Sequence, residues 1–440
     1  MKYHFIGIGG VGMSALARIL HEKGYKVSGS DLSKTYVTKE LEEIGIHVFY
    51  NQVKENISTD QIIVYSTAIK PSNPEWLAAE KNVKMHRSEL LEELLSEKKA
   101  ILVVGAHGKT TTTTLFTYIL KEGGSDPSFV IGGFSESLER KNGKLGAGNY
   151  FIAEGDESDG SFLRADPEGA IVTNVDFDHL DFWKSEEALL EAYQTFIKRI
   201  KRRDLLFYYC EDPFLSSWKV SGVSYGFSQK ADLRASNLRF RGGKQYFTID
   251  FQGKTYIDIE INLLGRHNVL NGLACFGMAI SLGVKEDVIR IALSSFKGVK
   301  RRLEWKGCLN GAYIYDDYAH HPEEIEATLS ALKQAFNNER KIAVFQPHRY
   351  TRLKDLMNEF ATKKIWKDSD ELIVTDIYSA GEEKIEGVTI EAFLEKLEKK
   401  ATYVPREKIV HFLQNRISSG DLVVTLGAGD ITTVSSELIV

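Results

Sequence analysis

Ala100-Ile101-Leu102-Val103-Val104-Gly105-Ala106-His107-Gly108-Lys109-Thr110-Thr111 is the stretch on which the fold turns. Its first five residues are a short apolar run rich in β-branched side chains, the signature of a buried strand. Two glycines and a lysine follow, and a threonine-rich helical pattern opens directly behind them. Strand, glycine loop and helix N-terminus in that order make a phosphate cradle: free N–H groups of the first turn face the anion, and a lysine neutralises its oxygens. The strict motif has four residues between its glycines, whereas two separate Gly105 from Gly108, so this is a shorter variant. Gly105, His107, Gly108, Lys109, Thr110 and Thr111 are candidate nucleotide contacts, with Lys109 also catalytic and the Thr110 hydroxyl a candidate Mg²⁺ ligand. The bland alternative is a glycine turn before a threonine-rich helix.

Two more strand patterns end in acids. Residues 150–153 lead into Glu154-Gly155-Asp156-Glu157-Ser158-Asp159, and residues 170–175 into Asp176-Phe177-Asp178-His179-Leu180-Asp181. A lone acid at a strand end is usually solvated, but two such clusters beside a phosphate loop put hard oxygen donors where a nucleotide-bound Mg²⁺ needs them. Glu154 joins Thr110 as a candidate metal ligand, and His179 would serve a second ion.

Upstream, apolar runs at 3–8, 26–30 and 61–66 alternate with amphipathic stretches such as 14–23, the rhythm of βαβ units and a parallel sheet. Gly7-Ile8-Gly9-Gly10-Val11-Gly12 satisfies G-x-G-x-x-G between strand and helix, and Asp31 follows at the spacing of a dinucleotide fold. That geometry recognises a diphosphate rather than a nicotinamide. An NAD-binding oxidoreductase would fit the first motif alone and leave the phosphate loop and acid clusters unexplained. A charged helix pattern over 88–99 closes this block, with a boundary near residue 98.

Downstream, residues 220–261 are β-rich with no helical period, and a helix follows over 268–282. Asn268 and Asn271 share a face of it, where base-edge hydrogen bonding and simple capping both fit. Lys300-Arg301-Arg302 is either a solvated charge run or the source of a phosphate clamp. Strand patterns at 312–315 and 341–345 precede Asp316-Asp317-Tyr318-Ala319-His320-His321-Pro322 and Gln346-Pro347-His348-Arg349-Tyr350-Thr351-Arg352; the second offers two guanidinium forks suited to a carboxylate. A second boundary falls near residue 298. The expected organisation is α/β in three domains, 1–97, 98–298 and 299–440.

Composition narrows the class. At 440 residues the chain exceeds one core, and its net charge of -5 comes from interspersed signs, which argues against nucleic-acid binding. No apolar run reaches the roughly 18 residues of a membrane span. Met1 runs straight into a strand pattern, so no signal peptide and a cytoplasmic location are expected. Cys210, Cys275 and Cys308 show neither metal nor disulfide spacing and are expected to be buried apolar fillers.

Taken in order, these motifs resemble the Mur ligase superfamily. The resemblance is carried by residues 5–14, 105–113, 153–162, 173–181, 265–271, 316–322 and 345–352, nearly the whole chain. The pattern at Asp317 to Pro322 is shared with folylpolyglutamate synthases. The family implies an N-terminal Rossmann-like domain for a UDP-sugar, a central P-loop ATPase-type domain with a β-rich extension, and a C-terminal Rossmann-like domain for an amino acid. By position, Gly9, Gly10, Val11, Gly12, Met13, Ser14, Asp31, Ser66, His86 and Arg87 match UDP-substrate contacts. Lys109 and Thr110 match phosphate and Mg²⁺ binding, Glu154 and His179 metal ligands, and Asn268, Asn271, Asp317 and Arg302 nucleotide contacts, with Arg301 as the other candidate for the phosphate arginine. Tyr318, His320, His348, Arg349 and Arg352 match the amino-acid pocket, and His320 is a candidate base. Residues 346–352 point to the branch using UDP-N-acetylmuramate and L-alanine with ATP, through an acyl phosphate, in a cytoplasmic step of peptidoglycan precursor synthesis. A ligase attaching an intact cell-wall peptide to the same UDP-sugar is the alternative. Ala106, Gly155 and Ala319 depart from the family's usual threonine, alanine and glycine.

Overall fold

The computed structural model of the chain describes residues 1–177, 180–241 and 244–439. The described residues form three sheets in an α/β architecture. Contacts gather the chain into two compact units: residues 1–238, 247–261 and 270–297 form the first, and 239–246, 262–269 and 298 onward the second.

The first sheet has the order His47–Phe49, Lys26–Ser30, Lys2–Ile6, Gln61–Tyr65, Lys84–His86, parallel throughout. Strand order reverses on either side of Lys2–Ile6, which opens a crevice at the carboxyl ends of that strand and Gln61–Tyr65. Helix Val11–Glu22 lays Met13, Leu16, Ile19 and Leu20 against the sheet, the 3.6-residue spacing that made it legible. Four of the five residues in Lys2–Ile6 are buried, and each such Phe or Ile side chain contributes about 1.5–3 kcal/mol.

In the second sheet, of ten strands, Lys99–Val104 lies between Gly169–Val172 and Tyr150–Glu154 with parallel register. The loops leaving these three strands therefore meet at one edge. The β-rich region resolves into Val223–Gly226, Leu233–Arg241, Lys244–Phe251 and Lys254–Ile261. The strand expected over 170–175 stops at Val172, because Thr173 and Asn174 turn to serve the phosphate loop.

The third sheet runs Glu304–Leu309, Ala312–Asp317, Asp421–Leu426, Arg340–Phe345, Glu371–Val374, Thr402–Tyr403, with only the first strand antiparallel. The strand expected to end at Tyr315 continues through Asp316 and Asp317, so both acids are buried sheet residues. The expectation for the cysteines also fails in part. Of the three free cysteines only Cys275 is buried, Cys210 is half-buried, and Cys308 is exposed because its alternating position on the edge strand faces outward.

Candidate active site

Gly105 ends the strand and Gly108 caps helix Lys109–Glu122 with a left-handed φ of +83°. A Cβ on Gly105 would lie 2.1 Å from Thr173 Oγ1, and one on Gly108 3.0 Å from Asn271 Oδ1, so close approach as well as backbone conformation demands glycine. The loop is strapped to the next strand's exit: the His107 N–H donates to Asn174 Oδ1 at 2.8 Å, while Thr173 Oγ1 and Asn174 Nδ2 donate to the His107 carbonyl at 2.7 and 3.0 Å. His107 Nε2 lies 3.2 Å from an Asp176 oxygen.

Lys109 folds back on its own loop. Its ammonium donates to the carbonyls of Gly105 and Ala106 and, at 2.7 Å, to Glu157 Oε1. Burial pushes the Glu157 carboxyl upward against the opposing pull of Lys109, and its Oε2 has no hydrogen-bond partner among the described residues. Thr110 Oγ1 donates to Glu154 Oε2 at 3.0 Å, and Glu154 Oε1 accepts from the Gly132 N–H at 2.6 Å. A hydroxyl and a carboxylate side by side at the head of a phosphate loop are hard oxygen donors of the kind Mg²⁺ takes. His179 lies outside the described residues.

Around the first glycine loop, the Gly9 N–H donates to Asp31 Oδ2 at 2.9 Å, and a Cβ on Gly9 would lie 2.7 Å from that oxygen. The helix starting at Val11 points its first N–H groups into the crevice. The Met13 side chain is in the core, which leaves its backbone as the group available to a ligand. Ser14 is buried too; its hydroxyl donates to the Val11 carbonyl and accepts from Asn142 Nδ2 at 2.9 Å. Ser66 follows the strand Gln61–Tyr65 on the other side of the crevice. His86 caps helix Arg87–Ser96, paired through Nδ1 with the Ser88 hydroxyl, and burial lowers its pKa. Arg87 Nη2 donates to Asp156 at 2.6 Å and Asp159 at 3.0 Å. Burial raises the Asp156 carboxyl, but Arg87 and Ser158 overcome this and hold it at about 2.

In the second unit, Asp317 accepts from the N–H groups of Leu303 at 2.6 Å and Ala319 at 2.7 Å, and burial pushes its carboxyl up to about 7 despite Arg302. Arg301 donates to the carbonyls of Gly427 and Gly429 at 2.9 and 3.0 Å, whereas Arg302 keeps about a third of its side chain exposed, 3.8 Å from Glu324. Both guanidinium groups lie over the Tyr318 ring, at 4.7 and 5.1 Å. His320 Nδ1 is 2.9 Å from the Tyr318 carbonyl, which assigns the proton to Nδ1 and leaves Nε2 as an acceptor. Burial lowers its pKa to about 3, with Glu324 opposing. His348, 5.9 Å from His320 between ring centres, is lowered to about 4 by burial and by Arg352 and Arg349. Arg352 Nη1 is 3.1 Å from His348 Nδ1, and Arg349 Nε donates to Glu382 at 2.6 Å. Asn268 donates to the Leu264 carbonyl at 2.7 Å in the first turn of helix Arg266–Ser281.

Several residues that hold these groups were marked in the sequence only as members of a motif, or not at all. Glu157, Asp156 and Asp159 sat inside an acidic run whose members look alike until their partners are known. Thr173 and Asn174 read only as the end of a strand, and Asn142, Tyr378 and Glu382 are single polar residues away from any motif. Glu382 receives Arg349 and both the N–H and hydroxyl of Thr351, and Tyr378 stacks on His348 with rings 5.5 Å apart and 10° from parallel. A glutamate soon after a glycine, as in Gly381-Glu382, is too common a dipeptide to have pointed there.

A phosphate loop with a lysine and a hydroxyl–carboxylate pair, in one chain with two Rossmann-type sheets, defines an α/β enzyme that works on a nucleotide triphosphate. The sequence matches the Mur ligase family, catalytic domain, over residues 2–99, the Mur ligase middle domain over 103–279, and the Mur ligase, glutamate ligase domain, over 301–429. The chain belongs to the Mur ligase family, whose members are ATP-dependent ligases. It is 43% identical to the UDP-N-acetylmuramate–L-alanine ligase of Protochlamydia amoebophila over 99% of this chain and 97% of that one, and 40% identical to the Aquifex aeolicus protein of that name over 100% and 97%. The crystal structure of the Thermotoga maritima UDP-N-acetylmuramate–alanine ligase superposes with a TM-score of 0.85 at 31% identity, covering 100% of this chain and 98% of that one. A murein peptide ligase from Psychrobacter arcticus shares the fold, with a TM-score of 0.72 at 24% identity and coverage of 100% and 98%.

Proposed function

We propose that this chain joins L-alanine to the lactyl carboxylate of UDP-N-acetylmuramate with cleavage of ATP, in the cytoplasmic assembly of a peptidoglycan precursor. The observation that carries it is the phosphate loop with its Lys109, Thr110–Glu154 and Asn271 contacts, in a chain similar along its whole length to ligases of that name. Residues 1–97 hold the UDP-sugar, 98–298 the ATP and 299–440 the amino acid.

In this reading the helix start at Val11 takes the diphosphate, with Asp31 bracing the Gly9 turn. Lys109 leaves its loop carbonyls for the β/γ-phosphate oxygens. The lactyl carboxylate attacks the γ-phosphorus, ADP departs, and an acyl phosphate remains. Arg302 is the phosphate arginine, since Arg301 is committed to two carbonyls of its own domain. Thr110 and Glu154 would hold one Mg²⁺ and His179 a second, which would neutralise charge on the phosphates. Arg349 and Arg352 take the amino-acid carboxylate, and the amine attacks the acyl carbon to expel phosphate. His320, whose Nε2 can accept, is the candidate base for the amine proton, and burial, which lowers its pKa to about 3, opposes that role.

Phosphate release from ATP with UDP-N-acetylmuramate tests this, with L-alanine, other amino acids and a short peptide in parallel and product masses read directly. Release requiring both UDP-N-acetylmuramate and L-alanine is the expected result. Release requiring the peptide would make the chain a peptide-attaching ligase, and no release with any acceptor would overturn the proposal.

A further inference from the structure

Arg87 begins a helix of the first sheet's domain, yet both carboxylates it meets belong to the domain of the phosphate loop. Each acid is locked before Arg87 reaches it. Asp156 Oδ1 accepts the Ser158 N–H at 2.9 Å and Asp159 Oδ1 the Ser161 N–H at 3.1 Å, so each presents only Oδ2 to the guanidinium. Both Oδ2 atoms converge on Nη2, and Nη1 is left beside the glycine loop, 3.3 Å from where a Gly12 Cβ would stand. Asn142, from the same phosphate-loop domain and fully buried, reaches the same loop independently: its Nδ2 donates to the Val11 carbonyl at 2.7 Å and to Ser14 Oγ at 2.9 Å.

We infer that Asp156, Asp159 and Asn142 are positioning residues for the UDP-sugar, the two acids by aiming Arg87 at the glycine loop and Asn142 by fixing the turn from Val11 to Ser14. This rests on the assignment of Arg87 and the glycine loop to the UDP-sugar. The charge balance gives the idea its edge. Two carboxylates around one guanidinium leave a net charge of about -1, which by Coulomb's law repels an anionic ligand. Neutralising the acids should therefore tighten binding if they are only nearby charges, and weaken it if their work is to aim Arg87.

The test is calorimetric titration of the full chain with UDP-N-acetylmuramate in the absence of ATP, with ATP binding measured separately. Asp156→Asn/Asp159→Asn is expected to bind the UDP-sugar at least tenfold more weakly and ATP within twofold of the parent. In an Arg87→Ala background the same pair of changes should no longer weaken binding, because the group they aim is gone. Unchanged or tighter binding by the double variant, with Arg87 present, overturns the inference. Should that protein fail to bind ATP or to melt cooperatively, Asp156→Asn alone decides by the same criterion. If the parent chain itself binds no UDP-N-acetylmuramate, the functional assignment falls rather than the positioning role.

Discussion

Lys109 stands among satisfied partners: two loop carbonyls and the Glu157 carboxylate occupy its three donors. In the proposed reaction the lysine exchanges these partners for phosphate oxygens, so it is not left as an unpaired buried cation. Lys109→Met should lower kcat by at least about 10²–10³-fold in the phosphate-release assay, with the far-ultraviolet circular dichroism unchanged. Gly155 makes a second residue-scale prediction. A Cβ there would lie 2.4 Å from Val104 Cγ1 and 3.1 Å from Phe162 Cβ, which accounts for the departure from the family's alanine. Gly155→Ala should cost about 1–3 kcal/mol in urea denaturation, and Val104→Ala in the same chain should recover part of it.

At the scale of elements, the loops after Ala312–Asp317 and Arg340–Phe345 gather groups whose proton affinities the fold has moved in opposite senses. His320 and His348 are depressed to about 3 and about 4, so between about pH 4 and 6.5 the unfolded chain takes up protons that the folded chain refuses. Their contribution is complete above the unfolded value near 6.5 and is lost as pH falls toward the folded values. Asp317 runs the other way: raised to about 7, it contributes fully below the unfolded value near 3.9, and that contribution disappears as pH rises through about 7. His348→Gln should therefore flatten the acid-side loss of stability between pH 6.5 and 4.5 in denaturant titrations. Asp317→Asn should steepen it and also cost about 1–3 kcal/mol at neutral pH, since an amide cannot accept from both Leu303 and Ala319.

On the scale of the whole molecule, the first sheet and most of the second lie in one compact unit and both contribute to one hydrophobic cluster, while the third sheet has clusters of its own on its two faces. Separate cores unfold as separate cooperative blocks, so calorimetry should resolve two transitions. Saturating UDP-N-acetylmuramate should raise only the one belonging to the first unit, by about 2.7 kcal/mol at a hundredfold excess over Kd. A shift of both transitions would show that the sugar nucleotide engages both units.

By itself the sequence determined the α/β class, the strand–loop–helix at Lys99–Glu122, the glycine loop before Val11 and the grouping of acids, arginines and histidines at strand exits. These are legible because helix and strand periods, glycine positions and helix N-termini are short-range properties, written within a few residues of one another. Only the tertiary structure decided which acid serves which partner. Arg87 finds Asp156 and Asp159 at separations of 69 and 72 residues, Asn142 finds Ser14 at 128, and Glu382 finds Arg349 at 33. It also turned Ser14 inward, committed Arg301 to backbone carbonyls and carried Asp317 into a sheet. The physical reason is that such pairings are set by strand order and chain closure, which bring together residues whose local sequence is ordinary; a buried carboxylate or amide acquires its role from the group the fold places against it.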